Sequence, residues 1–174
     1  ELAKIAKQCS KLGPCLEIGT YCGKSALIMG SVCKKNKNIL FTVDHHTGSE
    51  EHQLGEEYHD SDLFDKNISC FNSLPEFLNN LRESNLANFI LPIVADSEEI
   101  SKNWVIPLGM VFIDGGHSRE SANADYTNWA PHIVKSGFLL IHDVFPDPKD
   151  GGRPPYEIFC KAKESGNFEE ISLT

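Results

Sequence analysis

Apolar residues fall at Leu2, Ile5, Ala6, Cys9 and Leu12, the spacing that lays one stripe along a helix, and Gly13-Pro14 ends it. Cys15-Leu16-Glu17-Ile18 is a short apolar strand running into a glycine turn. SALIMGSVCKK (25–35) predicts a helix buried on one face, with lysines in its last turn, where they complement the carbonyl end. ILFTVD (39–44) is continuously apolar, the mark of a strand covered on both faces. No clear period emerges over 45–72. Pro75 opens a helix, PEFLNNLRES, with Ser73 as a nearby cap. FILPIVAD (89–96) predicts a third strand whose proline suits a sheet edge. A short helix (SEEISKNW), a strand over 110–114, a helix over 118–134, a strand over 137–144, a helix over 154–165 and a sixth strand from FEEISLT (168–174) complete the pattern.

Strands that alternate with helices predict an α/β, three-layer, doubly wound and mostly parallel sheet. With 174 residues and no internal repeat or low-complexity linker, one domain spans 1–174. The stretch at 45–72 is long for a connection, and long loops in compact domains tend to be lids or binding loops. Its start, DHHTGSEEHQLGEEYHD (44–60), holds four of the chain's seven histidines among acidic residues. H-E-x-x-H is absent, and on a helix His52 and His59 would lie about 10 Å apart, too far to share one ion. Three readings stay open for it: a substrate-facing lid, a contribution to a metal site, or polar surface. A lid of this composition favours a polar or cationic substrate.

Charge and cysteine content narrow the field. A net charge of −9 without a basic cluster argues against nucleic acid. No apolar run is long enough to span a bilayer, and the charged, amphipathic start is unlike a signal peptide. It does not open on Met, which fits a piece of a longer chain. Six cysteines without C-x-x-C spacing read as buried free thiols of a cytoplasmic protein and exclude a zinc ribbon.

In open α/β sheets ligands bind beyond the carboxyl ends of the strands. Polar residues stand at five such ends: the turn from Glu17 to Ser25, then Asp44, Asp96-Ser97, Asp114 and His142-Asp143. The turn is G-x-x-x-G, from Gly19 to Gly23. It lacks the G-x-G-x-x-G of dinucleotide binders and misses the P-loop by one residue. An acid at the end of strand two suits ribose hydroxyls. The bland alternatives are a tight turn at 19–23, helix capping by Asp96 and Ser97, a hydrogen-bonded pair at His142-Asp143, a residue leading into a helix at His117, and an ordinary surface residue at His132.

LEIGTYCGKSALIMG resembles motif I of class I S-adenosylmethionine-dependent methyltransferases, especially the form in catechol O-methyltransferase. MVFIDGGHSRESANADYTNWAPHIVKSGFLLIHDV is similar to the later half of that core and to methyltransferase domain family 24; the likeness covers about 12–145. It implies a Rossmann-like methyltransferase fold and S-adenosylmethionine as cofactor. Glu17, Gly19, Thr20, Tyr21, Gly23 and Ser25 would surround its methionine part, Asp44 with His45 alongside would hold the ribose, and Asp96 and Ser97 would flank the adenine, with Asp114 on the same rim. The catechol-type branch holds a divalent cation (Mg, Mn or another transition metal) with acids at the ends of strands four and five. The matching positions are Asp114, His142 and Asp143, where His142 replaces an acid and Asp143 an amide. Imidazole shifts preference toward transition metals. The branch's catalytic lysine is matched by His117, which can act as a base beside Asp114. The family sheet ends with an antiparallel last strand that this chain is too short to supply.

The resemblance therefore implies an enzyme that methylates a small molecule, on oxygen, with a divalent metal as an optional aid. The alternatives are a non-catalytic methyltransferase-like binding module and, less favoured, a nicotinamide-dependent oxidoreductase. The expected partner is a small-molecule acceptor, with neither nucleic acid nor membrane, and homodimerisation stays open.

Overall fold

The computed structural model describes all residues except 50–51, 54, 56–59, 67–68 and 172–174. Helix α1 (Leu2–Cys9) is followed by β1 (Cys15–Ile18), α2 (Lys24–Lys35), β2 (Leu40–Asp44), a two-stranded ribbon of β3 (Phe64–Asp65) and β4 (Cys70–Phe71), α3 (Leu74–Glu83), β5 (Ile90–Val94), α4 (Ser97–Ser101), β6 (Leu108–Ile113), α5 (Arg119–Trp129), β7 (Ile133–Ile141) and α6 (Pro154–Glu164). Five strands form one sheet in the order β5-β2-β1-β6-β7, and every pairing in it is parallel. The chain builds outward from β1 to β5, then returns to lay β6 against the other side of β1. That reversal opens a crevice at the carboxyl ends of β1 and β6, where such sheets bind ligands.

Every residue of β1 and β6 is buried, because helices cover both faces. Alternate side chains go to opposite layers. Cys15, Met110 and Phe112 pack with Ala26, Met29 and Phe77 under α2 and α3. Leu16, Ile18, Val111 and Ile113 pack with Ala122, Trp129 and Ile158 under α5 and α6. Pro92 sits on the edge strand β5, as its missing N–H requires. All six cysteines are free, and three of them, Cys9, Cys15 and Cys33, are buried. No helix among the described residues is long and apolar enough to cross a membrane.

The structure departs from the sequence expectation in several places. The helix expected over 118–134 ends at Trp129, and a 3-10 turn at Ala130–His132 leads directly into β7, which starts at Ile133 rather than at 137. Pro131 lies in that turn; it cannot extend the α-helical ladder. Ser73 precedes α3 but makes no capping bond, because its hydroxyl is taken by His46 Nδ1 at 2.8 Å. The aperiodic stretch at 45–72 contains the β3–β4 ribbon, two residues per strand and too short to leave a periodic trace. The sixth strand does not form over its described part, 168–171. There the chain leaves α6 through Gly166 at φ 71°, tucks Phe168 against the core, and is held by a Lys163–Glu170 ion pair at 2.6 Å.

Candidate functional site

The site grows from the end of β1. Gly19 has φ +85°, and a Cβ there would lie 2.0 Å from the Asp114 carbonyl oxygen. Only glycine lets the turn pass that close to β6. Tyr21 follows at φ 51°, a left-handed conformation uncommon for a bulky residue. Asp44, at the end of β2, holds this turn. Its Oδ2 accepts from the Thr20 and Tyr21 backbone N–H groups, both at 2.8 Å, and its Oδ1 accepts from His46 N–H at 2.7 Å. Two strand ends are thus joined by one carboxylate. Gly23 caps α2 at φ +88°, and a Cβ there would meet the Phe77 ring at 2.6 Å. Its role is to let α3 pack closely, and it does not line the cleft.

Glu17 is fully buried beneath the turn, its carboxyl oxygens shut off from solvent. Burial pushes its pKa well above the ordinary range; the Ser25 hydroxyl opposes this, and the Asp114 and Asp44 charges add to it. Glu17 supports the turn from below and does not line the cleft. Thr20, which does line the cleft, is 2% exposed, and its hydroxyl has no partner among the described residues. An orphaned hydroxyl of this kind suits a polar ligand.

At the end of β6, Asp114 is followed by Gly115, Gly116 and His117. The Ser118 hydroxyl accepts from Ser121 N–H at 3.1 Å and caps α5. At the end of β7, His142 Nδ1 lies 3.0 Å from Asp114 Oδ1 and 3.1 Å from Asp143 Oδ1, and His117 Nε2 lies 3.2 Å from Asp143 Oδ2. Asp114, His142 and Asp143 each offer a donor atom within 4.8 Å of the others. Two carboxylates and an imidazole so placed fit a divalent cation of the transition series. Burial pushes Asp114 up to about 6, opposed by His142 and His117 and reinforced by Asp143.

Twelve of the residues expected from sequence line one continuous cleft of about 1770 Å³: Gly19, Thr20, Tyr21, Ser25, Asp44, His45, Asp96, Ser97, Asp114, His117, His142 and Asp143. Two, Glu17 and Gly23, shape it from behind. Asp96 caps α4, accepting from Glu98 and Glu99 N–H at 2.9 and 3.2 Å. His45 lies against Thr47, with Nδ1 2.7 Å from its hydroxyl. His46 is buried and stacks on Phe77, so it belongs to the core rather than to the rim; burial lowers its pKa. His132 packs its ring against Trp129. His52 reaches back to the glycine turn, its ring centroid 5.6 Å from Tyr21 and 5.2 Å from Phe71. His59 lies outside the described residues.

Asp125 also lines the cleft, with no role assigned to it from sequence. Asp125 on α5 is 4% exposed and accepts a short hydrogen bond from the Ser97 hydroxyl. Its Oδ2 closely approaches Gly115. It therefore ties α5 to the start of α4. The available signal was its place on the buried stripe of Ala122, Tyr126 and Trp129, where a charge is out of pattern. Burial pushes Asp125 up to about 6, with Ser97 opposing. The folded state thus holds this proton more tightly than the unfolded chain does. The resulting stability is whole below about pH 4 and is lost as pH rises through 6, by up to about 3 kcal/mol. Asp125→Asn keeps an oxygen for Ser97 and carries no charge. It is expected to exceed the wild type by about 1–3 kcal/mol above pH 7, with the advantage shrinking toward pH 4; urea midpoints across that range check it.

The model of the methyltransferase domain family matches residues 16–144. The O-methyltransferase NovP is similar over 99% of this chain and 74% of its own, at 18% identity and a TM-score of 0.71. The Podospora anserina methyltransferase PaMTH1, with SAH bound, is similar over 93% and 68%, at 14% identity and 0.61. The O-methyltransferase from Bacillus cereus, in complex with SAH, is similar over 93% and 68%, at 14% identity and 0.57. At these identities the structures speak for the fold, and the chain spans about two thirds to three quarters of their length.

Proposed function

The chain belongs to the methyltransferase domain family, and from that premise we propose that it transfers a methyl group from S-adenosylmethionine to an oxygen of a small molecule, with a divalent cation at Asp114, His142 and Asp143. The observation that carries this reading is the meeting of the Gly19 turn with the Asp114–His142–Asp143 cluster at the strand reversal. The methyl donor supplies an electrophilic carbon and takes away the electron pair of the broken bond. The cation, when bound, supplies a positive charge that acidifies a hydroxyl beside it.

The protein's own residues do the remaining work. The Gly19 turn and Asp44 form a rigid cradle for the cofactor, with the Thr20 hydroxyl as an unspent polar contact. Asp96 and Ser97, held by α4 and by Asp125, flank the adenine. Asp114 and Asp143 bring negative charge to the acceptor side. His117, held against Asp143, is the group placed to receive the acceptor's proton. Alignment of nucleophile and methyl carbon supplies much of the rate in such a displacement. The described part of 45–72 contributes Gly48, Ser49, His52 and Phe71 to the cleft wall, which supports the lid reading and a polar or cationic acceptor.

Calorimetric titration of S-adenosylmethionine and S-adenosylhomocysteine, with NAD as control and with or without EDTA, tests the proposal. Micromolar binding of the first two and none of NAD is the expected result. A folded protein that binds neither would leave the binding-module reading in its place.

A further inference from the structure

We propose that Asp125 is a positioning residue that sets the polarity of the Ser97 hydroxyl, so that the cleft accepts a 6-aminopurine and turns away a 6-oxopurine; the inference rests on the function proposed above, in which Ser97 flanks the adenine. Asp125 lies on α5 and is 4% exposed, and Ser97 opens α4 just beyond β5. Both line the cleft. Asp44, the ribose acid of the proposed function, ends β2 beside them: its carbonyl accepts from Ala95 N–H at 3.2 Å. The Ser97 hydroxyl donates to Asp125 Oδ1 in a short hydrogen bond.

The chemistry of that bond assigns the proton. A carboxylate accepts and does not donate, and a serine hydroxyl has one hydrogen. With that hydrogen turned to Asp125, Ser97 Oγ offers a ligand lone pairs alone. The bond to a charged acceptor also enriches those lone pairs. Adenine joined to ribose has one N–H donor, its 6-amino group; the remaining ring nitrogens only accept. An acceptor-only oxygen therefore matches the 6-amino group. A 6-oxopurine at the same place sets oxygen against oxygen, and neither group then recovers the hydrogen bond it gave up to leave water. Sites built in this way reject the mismatched analogue more strongly than an apolar pocket does. Asp125 takes part without touching the base, because it acts through the serine.

The ratio of two affinities tests this. S-adenosylhomocysteine and S-inosylhomocysteine, which differ by 6-amino against 6-oxo, are titrated by calorimetry at about pH 8. Asp125 is ionised there, its carboxyl being pushed up only to about 6. Wild type is expected to prefer the adenosyl compound by about 100-fold. Ser97→Ala removes the acceptor, and the preference is expected to fall by about tenfold. Asp125→Asn is expected to lower it by a similar factor, since an amide can donate to the hydroxyl as well as accept from it. In the Ser97→Ala background, Asp125→Asn is expected to leave the ratio unchanged. A merely structural Asp125 would weaken both ligands together without moving the ratio. A ratio unmoved by Asp125→Asn in the Ser97 protein overturns the proposal, and so does a wild type that binds both compounds equally. In either case S-adenosylhomocysteine still binds and the proposed function stands. Wild type that binds neither compound sinks the proposed function and this inference with it.

Discussion

Gly19→Ala is expected to destabilise the fold by about 4 kcal/mol and to abolish measurable S-adenosylmethionine binding. The argument is steric. A Cβ at this position would stand 2.0 Å from the Asp114 carbonyl oxygen and 2.8 Å from Gly115 Cα, both of them backbone atoms that cannot rotate away. At φ +85° the alanine is strained even before that clash. Relief requires β1 and β6 to part at the reversal point, the place where the cleft is formed. Denaturant midpoints and calorimetry measure the two effects. Gly55→Ala is a useful comparison, since among the described residues a Cβ there meets nothing within 4 Å at φ +95°, so its cost is backbone strain without collision with any of them. A Gly19→Ala protein as stable as Gly55→Ala would contradict the geometry of the turn.

Asp44→Ala is the second large effect. It removes the acceptor of three backbone N–H groups, from Thr20, Tyr21 and His46. Hydrogen bonds to a charged group are worth about 1.5–3 kcal/mol each, though water can satisfy some of these donors once the carboxylate is gone. A net loss of about 3 kcal/mol in stability is expected. Cofactor affinity is expected to fall further, by about 1000-fold, because the turn loses its clamp and, on the proposed function, the ribose would lose its acceptor with it. Asp44→Asn separates these contributions. Its one carbonyl oxygen can still accept from two N–H groups, so stability should recover by more than half while affinity stays low. Full affinity in Asp44→Ala would remove Asp44 from the cofactor site and leave it a purely structural clamp.

Much of this architecture can be read along the chain. The runs of β1, β2 and β6, which lack the apolar–polar alternation of a half-exposed strand, signal strands covered on both faces, and the parallel sheet follows. The polar residues after them mark the rim, because strand ends face one side of a parallel sheet. Pro92 shows the edge position of β5, since proline cannot serve a central ladder. Local pattern is less reliable where a tertiary partner intervenes. Ser73 looks like a cap, but buried His46 takes its hydroxyl. FEEISLT alternates enough to suggest a strand, yet the described part packs Phe168 into the core and pairs Glu170 with Lys163.

The sequence by itself determined the layer order, the glycine turn and the set of acids and histidines at the strand ends, because backbone sterics and burial act locally and with a fixed period. Only the tertiary structure decided how those groups are shared. It made Asp44 a clamp as well as a rim residue, placed Glu17 beneath the cleft, brought Asp125 from a helix to join Ser97, and set Asp143 between His117 and His142. The physical reason is that hydrogen bonding and desolvation depend on distances between strand ends far apart in the chain, and those distances exist only once the sheet has closed.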